Sequence, residues 1–235
     1  MQLEKLRRQV CEANMAIVDA GLVLLTWGNA SGVDRGAGVM AIKPSGVDYR
    51  NITPADIALV SLETGQVVEG ELHPSSDSPT HLALYRGFGS IGGVVHTHST
   101  YATSWAQACR DIPCLGTTHA DCFRGPVPLT RQLTREEIEG DYELNAGKVI
   151  LERFAQPALT PEEVPAVLLP GHGPFVWGPD LESAVHNAIV LEEVARTALQ
   201  AILINEGAGQ TPQALLDKHF LRKHGPGAYY GQRGD

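Results

Sequence analysis

The sequence predicts an α/β fold: one domain, residues 1–235, around a mixed, largely antiparallel sheet. Three observations carry this. Strand-like and helix-like segments interleave along the chain rather than separating into blocks. Two pairs of strand-like runs are joined by short turns, so their strands run antiparallel. No repeat, low-complexity tract or linker-like stretch divides the 235 residues, which are enough to bury a substantial core.

Taken in order, residues 3–20 read as a helix. Leu3, Leu6, Val10, Ala13 and Ile17 recur at spacings of three and four, and Gly21 is a stop. "TWGNASGVD" reads as a Gly/Ser/Asn-rich loop. "GVMAIKPSGVDY" is a short strand entering a Pro-Ser-Gly turn, and "IALVSLETGQVVEG" a hairpin turning at Glu-Thr-Gly. "PSSDSPTHLALYRGF" opens a helix, with Ser78 as N-cap and Pro79 at its first position. "IGGVVHTH" is a strand and 99–109 a helix. Residues 124–148 mix loops with an acidic helical piece. "AVLLPGHGPFVWG" gives a strand, a kink and a second strand. Residues 180–205 form the longest helix, capped by Asp180 and ended before Gly207.

Composition excludes some functions. A net charge of −9 argues against nucleic acid as a partner, though a small phosphate can still bind in a local pocket. No run of 18 apolar residues exists, so no membrane span is expected, and "MQLEKLRRQV" lacks the apolar core of a signal peptide. The expected compartment is the cytoplasm. Cys11, Cys109, Cys114 and Cys122 form no CxxC pair, which argues against a thiolate zinc site and suits idle thiols in a reducing compartment.

The chemistry lies in the histidines. Side chains at i and i+2 of a strand share a face, so His96 and His98 project together from backbone positions roughly 6–7 Å apart. That pair alone fits a metal site as well as it fits one core and one surface histidine. His172, flanked by glycines after the apolar run "AVLL", also sits at a strand end, and Asp77 precedes a helix. Three imidazoles and a carboxylate make a zinc-type set. His81 and His186, inside helices, read as packing or supporting residues, and His73 and His224 as surface residues.

"TWGNASGVD", "IKPSGVDY", "PSSDSPTH", "GGVVHTHS", "GTTHADCF", "HGPFVWG", "AVHNAIVLEEVA" and "LLDKHFLRKHGPGAYYGQ" resemble the L-ribulose-5-phosphate 4-epimerase branch of the class II aldolase/epimerase family, across nearly the whole chain. The resemblance implies a three-layer α/β/α domain and a homotetramer with sites near subunit interfaces. It implies Zn²⁺, with Mn²⁺ or Co²⁺ as possible substitutes, held by Asp77, His96, His98 and His172. Asp121 and Tyr230 take the acid/base roles. The substrate is a small sugar phosphate. Its phosphate falls to polar turns at Gly28-Asn29, Ser45-Gly46 and Ser75-Ser76, with Lys43 beside the second; such turns are common, and their convergence rests on the resemblance. Thr117, His119 and Glu143 would support these groups, and His219 would orient a neighbouring subunit's site. Cys122, Arg124 and Pro170-Gly171 depart from the familiar pattern and bear on substrate preference.

A 4-epimerase must invert a carbon whose hydrogen is not acidic. The workable route breaks the C3–C4 bond in a retro-aldol step, turns the bound aldehyde over and reforms the bond. A Lewis acid stabilises the enediolate half, and each face needs its own proton acceptor and donor. An aldolase of the same family would share the metal set but release its products. A dehydratase should lack the tyrosine-bearing tail, and a metal-free binding protein should lack the ligands.

Overall fold

Seven strands, each hydrogen-bonded antiparallel to its neighbours, organise the chain in the order β4-β3-β2-β1-β5-β7-β6. They are β1 (Gly28–Asp34), β2 (Val39–Ile42), β3 (Ala58–Ser61), β4 (Val67–Glu69), β5 (Gly93–Thr97), β6 (Ala166–Leu169) and β7 (Gly173–Gly178). The computed structural model describes residues 2–156 and 159–229. Every pairing between two of these strands is antiparallel, in keeping with the largely antiparallel sheet expected, and one parallel bridge, Leu129 to Leu168, adjoins β6. The helices are α1 (Gln2–Asp19), α2 (Ser78–Gly87), α3 (Thr100–Gln107), α4 (Thr117–Ala120), α5 (Arg135–Glu139), α6 (Tyr142–Phe154), α7 (Leu181–Ile204) and α8 (Gln213–His224).

Alternation along the central strands sorts side chains onto two faces. Val95, Ala166, Leu168 and Val176 join residues of α1, α3 and α7 in one core. Val94, Val167, Leu169, Phe175 and Trp177 join residues of α2 and α6 in the other. Helices on both faces of one sheet give three layers. The hairpin β3–β4, the kinked pair β6–β7 and the Asp180-capped α7 follow the sequence reading; Asp180 accepts from the Ser183 amide at 2.7 Å.

Residues 28–34 correct the expected loop: they form β1, in the middle of the sheet. The strand uses small residues because helices press on it. A Cβ at Gly32 would lie 2.8 Å from Leu181 Cδ1 and 3.1 Å from Leu6 Cδ1. Before Ser31, where the β2 pairing begins, Asn14 of α1 donates to the Ala30 carbonyl and accepts from its amide. The cap of α2 moves by one residue. Asp77, not Ser78, is its N-cap, and the Asp77 side chain makes no capping bond. It is aimed instead into a cavity between strands and helix.

Candidate metal centre and active site

The cavity opens where β5 ends and the β6–β7 turn begins. Register places Asn29, His96 and Phe175 side by side across β1, β5 and β7. The His96 ring stacks on Phe175, with centroids 4.2 Å apart and planes at 16°. His96 Nδ1 donates to the Pro174 carbonyl at 2.9 Å, which turns Nε2 outward. His98, one residue past the strand, brings its Nε2 to 3.1 Å from that of His96. His172 comes from the turn, with ring centroids 4.7 Å from His96 and 5.0 Å from His98. One ligand nitrogen from each of the three lies within 4.8 Å of the others. The pairing predicted from His-x-His is present, and His172 completes it.

The donor set suits a divalent cation. Burial and the neighbouring His96 push His172 down to about 4 and hold His98 low, so both rings are neutral at pH 7 with lone pairs to offer. Asp77 shares the cavity but not the close group of three nitrogens. Burial opposes its ionisation; His96, His81 and a 2.7 Å bond from Asn29 Nδ2 outweigh that and keep it a carboxylate.

The expected phosphate turns gather on the same cavity, whose volume is about 410 Å³. Gly28, Asn29, Lys43, Ser45, Gly46, Ser75, Ser76 and Glu143 line it with the three histidines and Asp77. The Ser45 amide donates to His73 and the Ser75 amide to Lys43, ties that hold the two turns side by side. The Gly46 and Ser76 amides take no part in those bonds. Lys43, 2% exposed, sits 4.6 Å from the centre of the Tyr49 ring and donates to the Pro44 carbonyl. Burial lowers its pKa.

Other expected residues lie elsewhere in the chain. Asp121, just after α4, is not in the histidine cavity. It is held by α8: Arg222 donates to both carboxylate oxygens, His219 Nδ1 lies 3.0 Å from Oδ1, and His224 bonds its carbonyl. Burial raises the Asp121 carboxyl, but Arg222, His219 and Lys223 more than offset it. Thr117 and His119 line a separate pocket against α7, and His119 donates Nε2–H to the Gly125 carbonyl. Within one chain they therefore do not support the histidine centre, a correction to that expectation; Glu143 does border it. Cys122 and His224 line a separate cleft of about 550 Å³, beside Gly178 at the opposite end of β7 from His172. His186 is exposed on α7 and supports nothing at the centre. Tyr230 lies outside the described residues.

Three contacts were not anticipated. Asn29 braces Asp77 and Ser75. The fully buried His81 bonds Ser31, which also contacts Tyr85, behind the centre. Tyr142 reaches His172 from the start of α6. The spacing of Asp77 and His81, four apart at a helix start, was the available signal for the second; the other two join elements that only the fold brings together.

A model of the class II aldolase and adducin N-terminal domain matches residues 8–199. The chain is 54% identical over 231 residues to L-ribulose-5-phosphate 4-epimerase UlaF of Salmonella paratyphi A, covering 98% of this chain and 100% of the relative. Among solved structures, an L-fuculose 1-phosphate aldolase superposes with a TM-score of 0.77 at 27% identity, over 92% of this chain and 94% of its own. YgbL of Escherichia coli, described as a putative aldolase/epimerase/decarboxylase, gives 0.71 at 25%, over 93% and 99%. With a family model matched over most of its length and a relative this similar from end to end, the chain belongs to the class II aldolase family.

Proposed function

We propose that this protein is an L-ribulose-5-phosphate 4-epimerase that interconverts L-ribulose 5-phosphate and D-xylulose 5-phosphate by breaking and reforming C3–C4. The observation that carries the reading is the convergence of three imidazoles on a cavity that also holds Lys43 and the Ser45 and Ser75 turns. The chain-long identity to an epimerase selects this reaction from those of the family.

His96, His98 and His172, with Asp77 as a fourth ligand, hold a divalent cation, zinc in our reading, with manganese or cobalt as substitutes. When bound, the cation supplies Lewis-acid stabilisation of negative charge on the substrate's C2 and C3 oxygens. Lys43 and the Gly28-Asn29, Ser45-Gly46 and Ser75-Ser76 turns bind the phosphate and so fix the aldehyde end of the substrate. Asp121 and Tyr230 move the proton of the C4 hydroxyl, one on each face. Asp121, paired with His219 and Arg222, is a carboxylate at pH 7, able to accept that proton. Glu143 lines the same cavity.

The Asp121 group and the histidine cavity occupy different parts of one chain, which supports sites built between subunits of a homotetramer. Trp27 lines the cavity, and Leu24 and Leu25 just before it in the chain are also exposed, at 51%, 66% and 77% respectively, an apolar segment fit for burial by a second copy. No described helix is long and apolar enough to cross a membrane; we assign the enzyme to the cytoplasm. The test is incubation of metal-analysed protein with L-ribulose 5-phosphate. D-Xylulose 5-phosphate without free aldehyde supports the epimerase; stoichiometric release of glycolaldehyde phosphate would make it an aldolase.

A further inference from the structure

The three histidines are not fixed in the same way. His96 lies within β5, and the Pro174 carbonyl of β7 takes its Nδ1–H. The sheet itself therefore sets its tautomer. His172 lies outside any strand, in the turn between β6 and β7, where Gly171 has φ +67°. Among the described residues, no backbone carbonyl bonds its ring. Its Nδ1 instead meets the Tyr142 hydroxyl at 3.1 Å, and the two rings lie at 27° to each other with centroids 6.1 Å apart.

From these contacts we propose that Tyr142 is the positioning residue for His172: its hydroxyl accepts the Nδ1–H, fixes that tautomer and presents Nε2 to the cation. The inference rests on the metal reading of the centre and extends it to a residue outside the ligand set. A histidine ligand whose other nitrogen lacks a partner is free to turn or to carry its proton on the wrong side. A phenol is well suited to the task. One lone pair accepts the imidazole proton, and the hydroxyl keeps its own proton to donate elsewhere.

The placement of Tyr142 is firm. It is the first residue of α6, and its amide donates to the Gly140 carbonyl at 3.0 Å. The next residue, Glu143, accepts a 2.6 Å bond from Thr80 Oγ1 on α2. One turn further on, α2 and α6 touch so closely that a Cβ at Gly147 would lie 2.5 Å from the Ala83 Cβ. Helix α2 begins immediately after Asp77. The first turn of α6 thus ties the helix that presents Asp77 to the turn that presents His172, and Tyr142 makes the second of those ties.

The test is Tyr142→Phe, which keeps the ring and removes only the hydroxyl. Zinc affinity is measured by chelator competition, and the absorption spectrum is recorded on cobalt-substituted protein; neither depends on the substrate. We expect zinc to bind about tenfold or more weakly, with an altered cobalt ligand-field spectrum and an unchanged melting temperature of the metal-free protein. Wild-type affinity and an unchanged cobalt spectrum in the variant would overturn the role of Tyr142 while leaving the metal centre standing. If the wild-type protein itself takes up no divalent cation, the metal reading falls and this inference with it. Should Tyr142→Phe fold poorly, nitrogen-15 shifts of the His172 ring in metal-free wild-type protein decide the matter. The Nδ1–H form is expected, and a predominant Nε2–H form overturns the proposal.

Discussion

His119 is buried at 3% exposure with Nε2 bonded to Gly125 and no protein partner for Nδ1 among the described residues. A proton added to Nδ1 would sit desolvated, and burial pushes the pKa down to about 4 from an unfolded value near 6.5. The unfolded chain therefore binds a proton below pH 6.5 that the folded chain refuses. The stabilisation is complete above 6.5 and is lost progressively as pH falls toward 4. We expect about 2 kcal/mol of stability to go between pH 7 and pH 5 on this account. Denaturant titrations of metal-free wild-type and His119→Gln protein at both values should show a flatter pH response in the variant; equal slopes would remove His119 as a cause. The histidines proposed as ligands are tested through the cation instead. Replacing His98 by Asn should lower bound metal and turnover together, and a variant with full metal content and normal turnover would show that His98 is not a ligand.

At the scale of elements, the centre depends on how closely β5 and β7 approach. A Cβ at Gly173 would fall 2.7 Å from the Thr97 carbonyl oxygen, so Gly173→Ala must push the two strands apart beside His96. Overpacking of this kind costs about 1–3 kcal/mol. Because Pro174 orients His96, the variant should also hold metal less tightly; a denaturation midpoint and metal content equal to wild type would contradict this. The same elements show what could be read from the sequence. The His-x-His at the end of an apolar run, the glycine-flanked His172, the hairpins and the Asp180 cap are local patterns, and each is present in the fold. Strand β1 was hidden because its residues are small for a reason beyond local pattern: Leu6 and Leu181 occupy the space that β-branched side chains would need. The Asp77 cap was misplaced by one residue because a good capping side chain was diverted to Asn29 and the cavity. Tyr142 carried no local signal at all, since its partner lies thirty residues away.

The whole molecule poses the question of how two separated chemistries meet. The histidine cavity opens at the end of β5, with the exposed Trp27 on its lining. Asp121 is held by Arg222 and His219 on α8, and neither Thr117 nor His119 borders the cavity. If each working site takes its metal half from one subunit and its acid/base half from another, two inactive variants should rescue each other. His98→Asn keeps the Asp121 half, and Asp121→Asn keeps the metal half. Each alone should be nearly inactive as an epimerase. When the two are unfolded together, or co-expressed, and reassembled in equal amounts, about a quarter of the sites combine two intact halves by random mixing. Activity should therefore return to about a quarter of the wild-type value, with metal on half of the subunits. The measurement is epimerase activity and metal content of the mixed oligomer, isolated through a different affinity tag on each variant. Mixed oligomers as inactive as the parents would mean that the two halves belong to one chain, and that Asp121 reaches the histidine cavity only through a rearrangement of α4 and α8.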